Sequence, residues 1–235
     1  MTMSTSPLTV LGFGFLLGLR HALDVDHLAA VSTIVSERRS LWRSSLVGAI
    51  WGLGHTAALL AVAIGVIGLH AEIPPTLERL LELGVAVMLV VLGANLLRTV
   101  VRGGTVHLHV HAHGARTHLH PHVHASDPGA HDHAVMRRPL VVGLVHGLAG
   151  SAGLMLAVVA AIPDRLLALA YVAIFGLGSV GGMTVMSALF AIPALLTSGR
   201  FAGADRVVRL GAAIASVVVG LGLAWEIGVD AGLLS

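Results

Sequence analysis

The sequence predicts an all-α polytopic membrane protein: six transmembrane helices forming two inverted three-helix repeats, with a histidine-rich loop between them. Three observations carry this. The first is composition. Of 235 residues, 56% are hydrophobic and only 11% charged, and mean hydropathy is +0.90, whereas a soluble domain carries about 25% charged residues. The second is a series of apolar runs, each close to the roughly 20 residues that a membrane-spanning helix needs. The third is internal repetition. Gly18-Leu19-Arg20-His21-Ala22-Leu23 matches Gly143-Leu144-Val145-His146-Gly147-Leu148, and Ala49-Ile50-Trp51-Gly52-Leu53-Gly54 matches Ala173-Ile174-Phe175-Gly176-Leu177-Gly178. Leu83-Gly84 and Gly93 match Leu210-Gly211 and Gly220 in the same order. An odd number of spans per half inverts the second half in the membrane, a recurring plan of secondary transporters whose halves meet at a central site. The halves are 1–102 and 137–235, with 103–136 as the histidine-rich segment.

Taken in order, the first span runs from about Leu8 to about Val35 and contains charges, which predicts a break or kink. The second covers about Leu46 to Leu69, with His55 inside it and Pro74-Pro75 in the turn beyond. The third covers about Leu80 to Val101. The fourth starts near Pro139, a residue suited to a first helical turn, contains His146, and ends before Pro163-Asp164-Arg165. The fifth spans about Leu167 to Ile192, where Pro193 marks its end, and the sixth about Val207 to Glu226.

Arginine placement sets the orientation. All the basic residues are arginine, and alternate loops collect Arg38, Arg39, Arg43, Arg98, Arg102, Arg116, Arg137, Arg138, Arg200, Arg206 and Arg209 on one side. Only Arg79 and Arg165 fall on the other. The positive-inside rule then puts both termini outside and the histidine-rich loop in the cytoplasm of a cell-membrane protein. These loop arginines explain the formal net charge of +2 without a nucleic-acid-binding face. No positive charge precedes the first apolar run, so no cleaved signal peptide is expected. The absence of cysteine excludes disulfides, thiolate metal sites and cysteine nucleophiles.

Chemistry concentrates in Arg20-His21-Ala22-Leu23-Asp24-Val25-Asp26-His27. Ionisable groups inside a membrane span are costly and usually line a functional path. Histidines with carboxylates are a ligand set for a divalent transition metal rather than for magnesium or calcium. On a continuous helix, His21, Asp24 and His27 fall within about 120° of one another, and Asp26 points away. Arg20 is expected to pair with Asp24 or Asp26. His55 and His146 are the natural ligands from other spans, and Ser151 is a lesser candidate. The residue types alone leave nickel, cobalt, zinc and copper open. The segment from His107 to His133 holds ten of the fifteen histidines, and such tracts bind transition metals without a packed core.

His21-Ala22-Leu23-Asp24-Val25-Asp26-His27-Leu28 resembles the signature of the nickel/cobalt transporter family, usually His-Ala-x-Asp-Ala-Asp-His-Ile, and Leu53-Gly54-His55-Thr56 is similar to its second-helix Leu-Gly-His-Ser motif. Gly143 to Gly153 and Phe175 to Met183 look like the short six-helix branch that includes urease-associated nickel permeases. The resemblance implies a transporter, not an enzyme, with Ni2+ or Co2+ as substrate and no cofactor, and metal recognition by His21, Asp24, Asp26, His27 and His55. Longer members have acidic motifs in later helices, which are missing here. Uptake is the favoured direction. Efflux is an alternative, since related nickel/cobalt efflux proteins also carry a histidine-rich loop.

The expected partners are the metal ion, the bilayer and a second copy of the chain. No nucleotide-binding motif is present, so energy comes from the membrane potential, protons or a partner. Two other classes compete with this reading: a transporter using the cluster as a proton relay, and an intramembrane serine hydrolase built on Ser151. For the hydrolase, Ala149 occupies the first glycine position of the Gly-x-Ser-x-Gly elbow.

Overall fold

The computed structural model describes residues 6–36, 38, 40–69, 74–102, 106–113, 116–123, 132–149, 158–159, 161–197 and 202–230, of which 68–69, 106–113, 116–123, 132–136, 197, 202 and 230 are described as backbone. Among them are seven helices: α1 (Pro7–His21), α2 (Val25–Val35), α3 (Leu41–Leu69), α4 (Pro75–Val101), α5 (Asp132–Leu148), α6 (Arg165–Thr197) and α7 (Ala202–Asp230). Four of these, α3, α4, α6 and α7, are long and apolar enough to cross a membrane. The α1–α2 pair makes a fifth when its two helices, bent by 55°, count as one broken span. The protein is therefore a multi-pass membrane protein. The expected fourth span falls partly on residues outside the described set.

Several boundaries differ from expectation for physical reasons. α6 continues through Pro193 to Thr197, because a proline late in a membrane helix forfeits one backbone bond that neighbouring helices can offset. Asp164 starts α6 by accepting from the backbone N–H groups of Leu166 (2.8 Å) and Leu167 (3.0 Å), the bonding of an N-cap. α5 begins at Asp132, seven residues before Pro139, which lies inside it. The histidine-rich segment is not wholly a loop. Its backbone forms a two-stranded antiparallel ribbon, β1 (Val106–His113) with β2 (Arg116–Val123), whose register opposes His107 to His122, His109 to His120 and His111 to His118. Pro121 is tolerated there because either strand of a two-stranded ribbon is an edge.

Small residues set the helix packing, since two membrane helices approach closely only where side chains are absent. α3 crosses α6 antiparallel: Gly48 faces Met183, Gly52 faces Val180, and Gly176 faces Thr56. α4 meets α7 antiparallel through Gly93 against Ala213 and Gly220 against Ala86. α1 runs parallel to α6, with Gly14 at Tyr171 and Gly18 at Phe175, while α5 runs parallel to α3, with Gly143 at Trp51 and Gly147 at His55. Hydroxyls reinforce these seams: Thr56 Oγ1 donates to the Gly176 carbonyl (3.2 Å), Ser179 Oγ to that of Gly18 (3.3 Å) and Ser216 Oγ to that of Leu89 (2.8 Å). α4 and α7 bury the least of their apolar windows, 28% and 17%, and so present broad faces to lipid. The centre of the bundle, where α1, α2, α3, α5 and α6 converge, holds the histidines.

Candidate metal centre

The site begins with the break between α1 and α2. α1 closes at its C-terminus with the Leu23 N–H donating to the Arg20 carbonyl (2.8 Å) and the Asp24 N–H to that of His21 (3.1 Å). Asp24 then turns extended (φ −63°, ψ 145°) and its carbonyl accepts the first bond of α2 from Leu28 (2.9 Å). The Leu23 and Asp24 N–H groups and the Arg20, His21 and Asp24 carbonyls at the break thus stay paired, as irregular backbone at membrane depth requires. The N-terminus of α2, carrying Asp26 in its first turn, opens inside the bundle, where its dipole favours negative charge.

This break corrects the one-face reading. Asp26, which a continuous helix would turn away, faces inward: its Oδ1 is 3.0 Å from His27 Nδ1 and its Oδ2 is 2.7 Å from His146 Nε2. Asp24 instead is half exposed and lies 2.7 Å from His21 Nδ1. A carboxylate can only accept, so each of these ring nitrogens is the N–H donor. The tautomers are thereby fixed, leaving Nε2 of both His21 and His27 as lone-pair nitrogens. Both are buried without a hydrogen-bond partner, as are both ring nitrogens of His55 and Nδ1 of His146.

Four imidazoles therefore meet in a dry interior: His27, His55 and His146 are at most 1% exposed and His21 is 9%. Ring centroids are 4.4 Å apart for His21 and His27, 5.0 Å for His21 and His55, 5.3 Å for His27 and His55, and 4.0 Å for His27 and His146. His21, His27 and His55 each offer a ligand atom within 4.8 Å of the other two, and so do Asp26, His27 and His146. Buried polar atoms without partners cost about 1–3 kcal/mol each, a penalty that a bound dication at about 2.1 Å would remove. The carboxylate–histidine pairing behind the free nitrogens is the arrangement that orients metal-binding imidazoles. The buried histidine cluster can bind a transition-metal ion.

All six expected site residues lie at this centre, in two roles. His21, His27, His55, His146 and Asp26 face the shared interior, while Asp24 stands behind His21. Asp24→Ala is accordingly expected to weaken metal binding by about 10- to 100-fold, the usual cost of losing such an orienting partner, rather than to abolish it; titration of the purified protein with Ni2+ measures it. Arg20 makes no ion pair among the described residues. It occupies the last turn of α1, where the carbonyl end of a helix favours a cation. Ser151 lies outside the described residues.

Along 233 residues, covering 96% of this chain and 95% of the relative, the sequence is 33% identical to the urease accessory protein UreH of Bacillus sp. (strain TB-90). The chain belongs to the UreH family. No protein-family model and no solved structure matches it.

Two residues of this UreH-family site escaped sequence reasoning. Trp51 packs its ring 5.4 Å from His27 and 5.8 Å from His146, and Phe175 lies 5.5 Å from His21. Their signal was present, since they occupy matching positions in the repeated Ala-Ile-Trp/Phe-Gly-Leu-Gly stretch. Nothing in one dimension said that both rings would flank histidines.

Proposed function

We propose that this chain is a permease for Ni2+, Co2+ or both, working by alternating access, with six spans in two inverted three-helix repeats (1–102 and 137–235) around the histidine cluster. The observation that carries it is the trio His21, His27 and His55, each with a buried, unpartnered imidazole nitrogen and together offering ligand atoms within 4.8 Å of one another. Helix packing supports the repeat. Gly18 meets the carbonyl of Phe175 as Gly143 meets that of Trp51; Gly178 meets that of Phe15 as Gly54 meets that of Leu140. Each contact becomes its counterpart under the residue matches in the sequence. Parallel α1–α6 and α5–α3 pairs, joined by an antiparallel α3–α6 crossing, are what inversion requires. The relative's name ties it to urease, and the motifs resemble urease-associated nickel permeases, which favours nickel.

In this reading the residues divide the work. Asp24 and Asp26 hold the Nδ1–H groups of His21 and His27, so that Nε2 of each faces the ion. Asp26 also offsets part of the ion's charge, at the N-terminus of α2. With both termini outside and the histidine-rich ribbon in the cytoplasm, an inward-negative potential of 100 mV favours uptake of a dication by about 4.6 kcal/mol. Comparing radioactive nickel accumulation in cells with and without the gene tests this. Higher accumulation is expected; accumulation below that of gene-less cells would make the chain an exporter, and metal-independent transport unaffected by His21→Ala would make the cluster a proton relay. Deleting 104–134 is expected to change accumulation less than threefold, because the cluster is complete without it. A tenfold loss would put the ribbon in the transport path.

A further inference from the structure

The cluster offers more than one set of candidate ligands. It contains two sets of three ligands with only His27 in common: His21, His27 and His55, and Asp26, His27 and His146. His21 and His27 are 4.4 Å apart and His27 and His146 are 4.0 Å apart, so His27 stands between the outer two.

Resting on the permease reading, we propose that these are two successive metal stations: an ion held by His21, His27 and His55 passes to Asp26, His27 and His146, with His27 bound throughout by Nε2, His146 binding through its unpartnered Nδ1, and Asp26 turning from the ring N–H groups it holds to the ion. Keeping one ligand means the dication is never stripped of all its partners in a low-dielectric interior, where bare charge is most costly. The first station, with three imidazoles, holds the resting ion. The second exchanges two neutral ligands for a carboxylate and an imidazole. Trp51 packs against His27 and His146, and Phe175 against His21.

Trp51 supplies a local reporter, because its ring touches the cluster while Trp42 and Trp225 are exposed. In full-length protein carrying Trp42→Phe and Trp225→Phe, Ni2+ is titrated against tryptophan fluorescence, and nickel transport is measured in vesicles of the same protein. His146→Gln keeps an amide to donate to Asp26 but removes the imidazole ligand. It is expected to leave the Ni2+ quenching midpoint within about threefold while transport falls at least tenfold. His55→Ala is expected to weaken the midpoint at least tenfold. His146→Cys, which ligates through sulfur in an otherwise cysteine-free chain, is expected to restore transport to at least a third. If His146→Gln weakens Ni2+ binding as much as His55→Ala does, the ligands form one undivided site and the two-station proposal falls. Wild-type transport in His146→Gln, or no recovery in His146→Cys, also overturns it. A parent protein that neither quenches nor transports Ni2+ would defeat the permease reading itself.

Discussion

Nickel accumulation in cells expressing His27→Ala is expected to fall at least a hundredfold, to the level of cells lacking the gene. No other side chain belongs to both ligand sets. Its Nε2 is a buried, unpartnered nitrogen, and its Nδ1 is bonded to Asp26. Removing it leaves two ligands in each set, too few to replace the hydration shell of a transition-metal dication. A hundredfold loss corresponds to about 2.7 kcal/mol of lost transition-state stabilisation, well within the worth of one imidazole–metal bond. The fold should survive. Trimming a fully buried side chain to alanine costs roughly 2–5 kcal/mol in a packed core, but Asp26 keeps its bond to His146 and the apolar spans still insert. Membrane-fraction immunoblotting checks insertion alongside uptake. Accumulation above half of wild type at equal protein level would remove His27, and with it both ligand sets, from the pathway.

Gly143→Ala is expected to reduce transport as severely by a different route. A β-carbon there would land well inside contact distance of the Trp51 carbonyl oxygen and 3.0 Å from the His55 backbone nitrogen. Backbone atoms of a continuous helix cannot rotate aside, so α5 must retreat from α3. His146 rides on the first and His55 on the second, and a shift of an ångström exceeds what metal coordination tolerates. The expected cost is about 3 kcal/mol, the upper end for overpacking a well-filled interior, visible as a lower melting temperature of the detergent-purified protein. Gly84→Ala and Gly211→Ala serve as controls, since a β-carbon at either position meets nothing within 4 Å. Both should match wild type in uptake and melting. Equal melting of Gly143→Ala and Gly84→Ala would refute the packing role assigned to the α3–α5 seam.

Much of the site was legible before any folding. His21, Asp26, His27 and His55 stand out because charges and imidazoles are rare in apolar spans, and His146 because it repeats the position of His21. The use of the two carboxylates was not legible. A continuous first span predicts Asp24 inward and Asp26 outward, but the 55° break rotates α2 and reverses them. Whether an apolar run breaks depends on partners elsewhere, here the imidazole of His146 that waits for Asp26. The ribbon was legible in principle: Val106-His107-Leu108-His109-Val110-His111 alternates with the period of a strand, and its histidine content drew attention away from that rhythm.

By itself, the sequence determined that the chain lives in a membrane, where four of its six expected spans lie to within several residues, and which side chains are too costly to be there without purpose. These follow from transfer energetics and periodicity, which act residue by residue. Only the tertiary structure decided that α1 packs on α6 and α5 on α3, that Asp26 rather than Asp24 reaches His146, and that the ligands divide into two sets sharing His27. Those outcomes depend on glycine faces from distant spans meeting at carbonyl oxygens, a condition that no local stretch of chain contains.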